Sequence, residues 1–226
     1  MVEKKSDELT SISVVRKNYG GKHNKLYIVG ASGHGKVVAD IAKCIGCYKE
    51  ILFLDDDIEK TQCGQYRVIA DTKYVDKIEN DNDVIVAIGN LQIREGFVCR
   101  LLRDGMNVPI LIHPQAVVAE DVEIGQGTVV MAGAVVNSGV HIGRGVIVNT
   151  SSSVDHDCQI GNFTHVSVGS HLAGTVSIGD RVWVGAGAII NNNLTIHNDC
   201  MIGSGAVVVK DINEEGTYIG VPAKRM

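Results

Sequence analysis

The chain has 226 residues, of which 45% are hydrophobic and 21% charged, with a formal net charge of −5. It is too rich in aliphatics for disorder, and an acidic balance without a basic cluster excludes a nucleic-acid footprint. The longest apolar runs, such as Val84 to Ile88, fall far short of the roughly 20 residues of a membrane helix, and no signal-peptide stretch opens the sequence, so a soluble cytoplasmic protein without membrane partners is expected.

Six cysteines, Cys44, Cys47, Cys63, Cys99, Cys158 and Cys200, show no framework spacing and read as reduced thiols. Cys44 and Cys47 form a single CxxC with no second pair, which points to helix packing rather than to a metal.

Residues 1–24 are polar and weakly periodic and read as a flexible arm without an assigned function. From Lys25 the pattern becomes strand, glycine loop, helix, strand. Leu26 to Val29 is a short apolar run and residues 30–35 (GASGHG) form a tight loop. Val37, Val38, Ile41, Ala42 and Ile45 then recur at helical spacing. A second strand, Ile51 to Leu54, ends in Asp55-Asp56-Asp57, a third runs from Val84 to Ile88, and a helix follows from about Gln92 to Arg103. Alternating strands and helices predict a small Rossmann-like α/β domain over residues 25–110. Its GxxGxG loop departs from the dinucleotide GxGxxG, yet it offers N–H groups at a helix start, where phosphate binds. Asp55 and Asp56 stand where such folds place an acid against a ribose, which suggests a nucleotide.

Past Pro109 the period becomes six. Counted in hexads from Leu111, the second position holds an aliphatic in all 17 hexads, from Ile112 to Val208. The third is Gly, Asn, Asp or His in 12 of them, residues that tolerate a left-handed backbone. This is the hexapeptide repeat of a parallel β-helix over residues 111–212, three hexads to a coil, with residues 213–226 as a tail. The aliphatic position and the small sixth position fill a narrow interior.

Within the prism His156 is flanked by Asp155 and Asp157. A carboxylate beside an imidazole sets its tautomer and raises its basicity, as a general base requires, although a solvated surface histidine has the same neighbours. His165 and His171 are six residues apart and fall on successive faces, so they cannot hold one ion within a chain; a zinc site would need a second subunit.

The combination of GASGHG, LDDD, AIGN, the hexads HDCQIGNFTHVSVGS and the terminal GVPAKRM resembles the bacterial sugar acetyltransferases. These include the UDP-4-amino-sugar N-acetyltransferases of bacillosamine synthesis, with the sialic acid O-acetyltransferases as cousins. The resemblance covers about Lys25 to Met226. It implies a left-handed coil, a homotrimer with active sites between neighbouring prisms, and acetyl-CoA as co-substrate without a metal. It implies His156 as general base supported by Asp157, where the bacillosamine enzymes carry Glu. It assigns His165, Gly174, Ala186 and Ser204 to acetyl-CoA, Gly174 through its N–H, with the tail lining the coenzyme groove. Ser32, Gly33, His34, Gly89 and Gln92 would contact the nucleotide sugar, with Asp55 and Asp56 on the uridine; Glu stands in place of Gln92 in the relatives. The activity implied is acetyl transfer to the 4-amino group of a UDP-4-amino-4,6-dideoxy sugar. A sialic acid O-acetyltransferase, a zinc hydratase on the same scaffold and a non-catalytic nucleotide-sugar-binding trimer are the alternatives.

Overall fold

A computed structural model describes residues 9–18 and 23–226. Among these, no helix is long and apolar enough to cross a membrane. Residues 1–8 and 19–22 of the expected flexible arm lie outside the described residues. Its middle differs from that expectation. Leu9–Ser11 forms a strand, β1, and Ile12–Asn18 a helix, α1. β1 pairs antiparallel with residues 123–125 of the first coil, and Ile12 and Val15, only 1% and 3% exposed, close the open end of the prism. Two apolar side chains one helical turn apart are too short a pattern to stand out in a polar stretch; burial against the exposed end of a β-column orders them.

The α/β domain contains β2 (His23–Val29), α2 (Gly33–Ile45), β3 (Tyr48–Leu54), β4 (Gln62–Cys63), β5 (Tyr66–Ala70), β6 (Asp83–Val86) and α3 (Leu91–Arg103). The sheet order is β4-β5-β3-β2-β6, parallel except for the β4–β5 hairpin. β3 and β6 flank β2, so the loops after β2 and β6 open a crevice at the carboxyl edge, where parallel sheets bind ligands. Gly30 turns there with φ +108, and a Cβ on Gly35 would strike the Phe53 ring, so helix and strand close tightly.

In the prism each short strand pairs in parallel with the strand 18 residues further on, as Ile147 does with His165 and His165 with Trp183. The second-position aliphatics line the core: Val130, Val148, Val154, Val166 and Val184 are fully buried. The left-handed backbone lies at the fifth position, not the third. Gly127, Gly145, Asp157, Phe163, Thr175 and Arg181 all have positive φ. Third-position glycines answer a different need, because a Cβ on Gly125 or Gly161 would run into the backbone of the next coil. Three prism faces result. On one, the first-position residues Leu111, Val129 and Ile147, with Met131, pack against Val38, Ile41 and Ala42 of α2. Phe163 enters the core on the other side of the sheet with Val29, Leu54 and Val98. The α/β domain thus covers three rungs of this face; the fourth is His165, and beyond it Glu95 of α3 still pairs with Arg181 at 3.4 Å. The tail extends the same face: Gly216–Ile219 pairs with Cys200–Ile202, then turns back through Lys224–Arg225.

Candidate active site

His156 occupies the fourth position of its hexad, at a corner of the prism, with its side chain 58% exposed. Asp155 accepts the His156 backbone N–H at 2.8 Å and the Asn137 amide at 2.8 Å, which fixes the turn. His156 Nδ1 donates to Asp157 Oδ2 at 2.8 Å, so the Nε2 lone pair is the free one. The hydrogen bond to Asp157 raises the imidazole above its ordinary value, with both neighbouring carboxylates adding to the effect. Asp157 reaches the ring from a left-handed backbone (φ 58), a conformation Asp tolerates. Gly174, one coil on, lies under the ring.

His165 is in a different environment. Only 8% exposed, it stacks edge-on against Trp183 with ring centroids 4.4 Å apart. The Thr150 N–H donates to Asn149 Oδ1, which orients that amide so that its Nδ2 donates to His165 Nε2 at 3.0 Å. The neutral ring therefore carries its proton on Nδ1, an atom buried without a hydrogen-bond partner among the described residues. His34 Nε2 is buried and unpartnered in the same way. Burial first, then the Arg94 charge, push His34 down to about 4 and His165 down to about 3, so both are neutral at physiological pH. His34 and His165 thus each carry an unpaired buried nitrogen, one in each domain, and the two rings are close enough for His34 to act on the titration of His165.

The loop residues are held from behind. Asp55 accepts the Ala31 N–H at 2.7 Å and the Asp57 N–H at 3.0 Å and pairs with Lys60. Asp56 accepts the Thr72 N–H at 2.9 Å. Asp55 therefore pins the glycine loop, while Asp56 holds the Thr72 turn and is exposed. Ser32 and Gly33 are exposed at the start of α2, and Gln92 is exposed on the first turn of α3, which Asn90 caps.

The expected residues thus fall into two groups within one chain. Gly89 and His34 lie at the His165 seam, Gly89 through the Arg94 side chain that also reaches Phe163 O and His34 through its electrostatic effect on His165, and Ala186 and Ser204 stack at the corner just beyond that strand. His156, Asp157 and Gly174 stand at another corner, so Gly174 accompanies the base rather than His165. Sequence reasoning passed over Asn149, Trp183 and Arg94. Arg94 left a trace: it interrupts the buried stripe Leu91, Val98, Leu101 of α3.

Asp40, Cys44 and His113 bring donor atoms within 4.8 Å of one another. The Gln115 N–H donates to His113 Nδ1 at 3.0 Å, which leaves the proton of the neutral ring on Nε2. A metal-bound imidazole has the opposite arrangement, its second nitrogen donating outward, so this trio is not set up as a metal centre.

Residues 25–101 match the PglD N-terminal domain, and residues 175–210 match the bacterial transferase hexapeptide (six repeats). The acetyltransferase domain of PglB from Neisseria gonorrhoeae FA1090 is 42% identical, with a TM-score of 0.88 over 89% of this chain and 99% of that one. PerB from Caulobacter crescentus, solved with CoA and GDP-perosamine, is 35% identical, with a TM-score of 0.82 over 89% of this chain and 97% of that one. The chain belongs to this family of bacterial sugar acetyltransferases. A curated relative from Bacillus subtilis (strain 168), a UDP-N-acetylbacillosamine N-acetyltransferase, is 32% identical over 108 residues. That match takes in 46% of this chain and spans half of the relative's length, 50%. The Neisseria domain has also been solved with acetyl coenzyme A, a second member of the family, beside PerB, to be seen with a coenzyme bound.

Proposed function

We propose that the chain transfers the acetyl group of acetyl-CoA to the 4-amino group of a UDP-4-amino-4,6-dideoxy sugar in the cytoplasm, with His156 as general base. The observation that carries this reading is the imidazole whose Nδ1–H is held by Asp157 and whose Nε2 lone pair is left free over Gly174. A sugar amine is nucleophilic only when neutral. His156 Nε2 takes a proton from the nitrogen as the C–N bond to the acetyl carbon forms. Collapse of the tetrahedral intermediate breaks the C–S bond and releases CoA as the thiolate, which the imidazolium can protonate. The Gly174 N–H is the proposed donor to the oxyanion, a contact typically worth about 10² or more in rate. His165, neutral and with its Nδ1–H buried, is suited to hold the uncharged thioester end of the coenzyme, with Ala186 and Ser204 along the same groove.

The two groups of residues lie at separate corners of one prism, which supports a homotrimer in which the His156 corner of one subunit faces the seam of its neighbour. The exposed apolar residues Val117 and Ile189 on the intervening face support the same packing. The positive φ at the fifth positions from Gly127 to Gly205 accords with a left-handed coil, and the crevice beside β2 with a Rossmann-like nucleotide site.

The test offers acetyl-CoA with UDP-, GDP- and dTDP-linked 4-amino sugars and with free sialic acid, read by thiol release. Turnover with a UDP-4-amino sugar is expected, together with a loss of at least about 10²-fold in His156→Ala and unchanged assembly. Turnover with sialic acid alone, or a fully active His156→Ala, removes the reading.

A further inference from the structure

Arg94 is the largest fully buried side chain among the described residues, at 1% exposure, and it forms no ion pair with any of them. Its guanidinium donates instead to four backbone carbonyls. Two belong to the loop after β6: Nη1 reaches Ile88 O at 2.9 Å and Gly89 O at 3.0 Å. The other two belong to the prism: Nε reaches Gly145 O at 2.8 Å and Nη2 reaches Phe163 O at 2.6 Å. Gly145 and Phe163 occupy the same left-handed corner in successive coils, φ 61 and 59, and the Phe163 ring lies against Gly145. Two residues past Phe163 comes His165. One side chain therefore fixes both the loop that borders the nucleotide-sugar crevice and the turn that aims the coenzyme-side histidine.

A buried guanidinium without a counter-charge is an unfavourable choice for an apolar stripe, where Leu or Met would fill the space. A rigid fork of donors is what a Leu could not supply. We infer that Arg94 is a positioning residue for acyl transfer, locking the sugar-binding loop and the His165 turn into one rigid unit across the domain seam. This rests on the proposed nucleotide-sugar acetyltransferase activity. Burial lowers the guanidinium only to about 10, so it stays charged and helps to keep His34 and His165 unprotonated.

The experiment compares wild type, Arg94→Met and Arg94→Lys, measuring kcat together with the dissociation constants of UDP and CoA at a temperature below each variant's melting. Arg94→Met is expected to lose about 10²-fold in kcat while both dissociation constants stay within about threefold, because alignment is lost rather than binding surface. Arg94→Lys keeps a charge and three donors and is expected to recover part of that loss. A kcat for Arg94→Met within about threefold of wild type overturns the proposal, as does a loss that appears only as weaker UDP or CoA binding. Should Arg94→Met fail to fold, amide exchange in the wild-type chain decides. UDP is expected to slow exchange at 145–147 and 163–165 as well as at 89–94, and protection confined to the α/β domain overturns the lock. A wild-type chain that binds no UDP and consumes no acetyl-CoA removes the functional reading first, and the lock with it.

Discussion

The imidazole of His156 rests on the α-carbon of Gly174, and the contact leaves no room for a methyl group: a Cβ there would lie 2.6 Å from Cε1 and 3.0 Å from Cδ2 of the ring. The backbone of Gly174 is not in the left-handed region, so the objection to a side chain is the ring alone. Because His156 is on the surface, its ring can swing outward when displaced. Gly174→Ala is therefore expected to fold and melt like wild type, within about 1 kcal/mol, while kcat falls about 10- to 100-fold. Paired thermal unfolding and steady-state kinetics check this. Normal turnover would show that the ring's seat on Gly174 is irrelevant to the reaction.

Asp157 offers a pH test of the base. Its hydrogen bond to Nδ1 raises the imidazole pKa, and a base is active only when neutral, so the acidic limb of kcat/KM is expected above the ordinary histidine value of 6.5. Asp157→Asn keeps a hydrogen-bond acceptor and removes the charge. The limb is then expected to move to lower pH, with a reduced plateau because the weaker base drives proton transfer less well. A profile that does not move would assign the limb to another group.

Much of this molecule is legible in its sequence because a hexad repeat admits few structures. Val148, Val166 and Val184 recur every 18 residues because one narrow interior accepts only aliphatics there. What stays hidden is set by packing rather than by period. The left-handed corners fall on Phe163, Thr175 and Arg181, residues no one would choose for positive φ, because coil closure dictates the backbone and local propensity yields. Arg94 has the spacing of a core residue and the chemistry of a surface one, and only its four carbonyl partners explain it. The acids around His156 were readable because they adjoin it in the chain, whereas Asn149, 16 residues before His165, meets it only through stacking.

The seam predicts acid sensitivity. His34 and His165 titrate at about 4 and about 3 in the folded chain, against 6.5 for the unfolded one. Between those values the unfolded state binds protons that the folded state refuses, so stability falls as pH drops below about 6.5 and levels off near the folded values. Each histidine contributes a slope of at most about 1.4 kcal/mol per pH unit in that window. Denaturant unfolding from pH 7 to pH 5 should show the decline, and His34→Gln and His165→Gln should each flatten it. Parallel slopes in all three proteins would mean that the two rings are accessible to protons in the folded state.

At the far end of the prism, the first coil would present its core and an unpaired strand edge to water without residues 9–18. β1 covers the edge, pairing Leu9 with Gly125 and Ser11 with Glu123, while Ile12 and Val15 pack among Ile110, Ile112, Val122 and Ile124. Ile12→Ala should cost about 2–5 kcal/mol, the range for truncating a buried Ile, and Val15→Ala somewhat less. Neither side chain lies at the His156 corner or the His165 seam, so kcat and both Michaelis constants should hold at temperatures below melting. Thermal unfolding with parallel kinetics separates these effects. An unchanged melting temperature would mean that the cap does not close the column in solution, and a change in kcat would mean that the end of the prism communicates with its flanks.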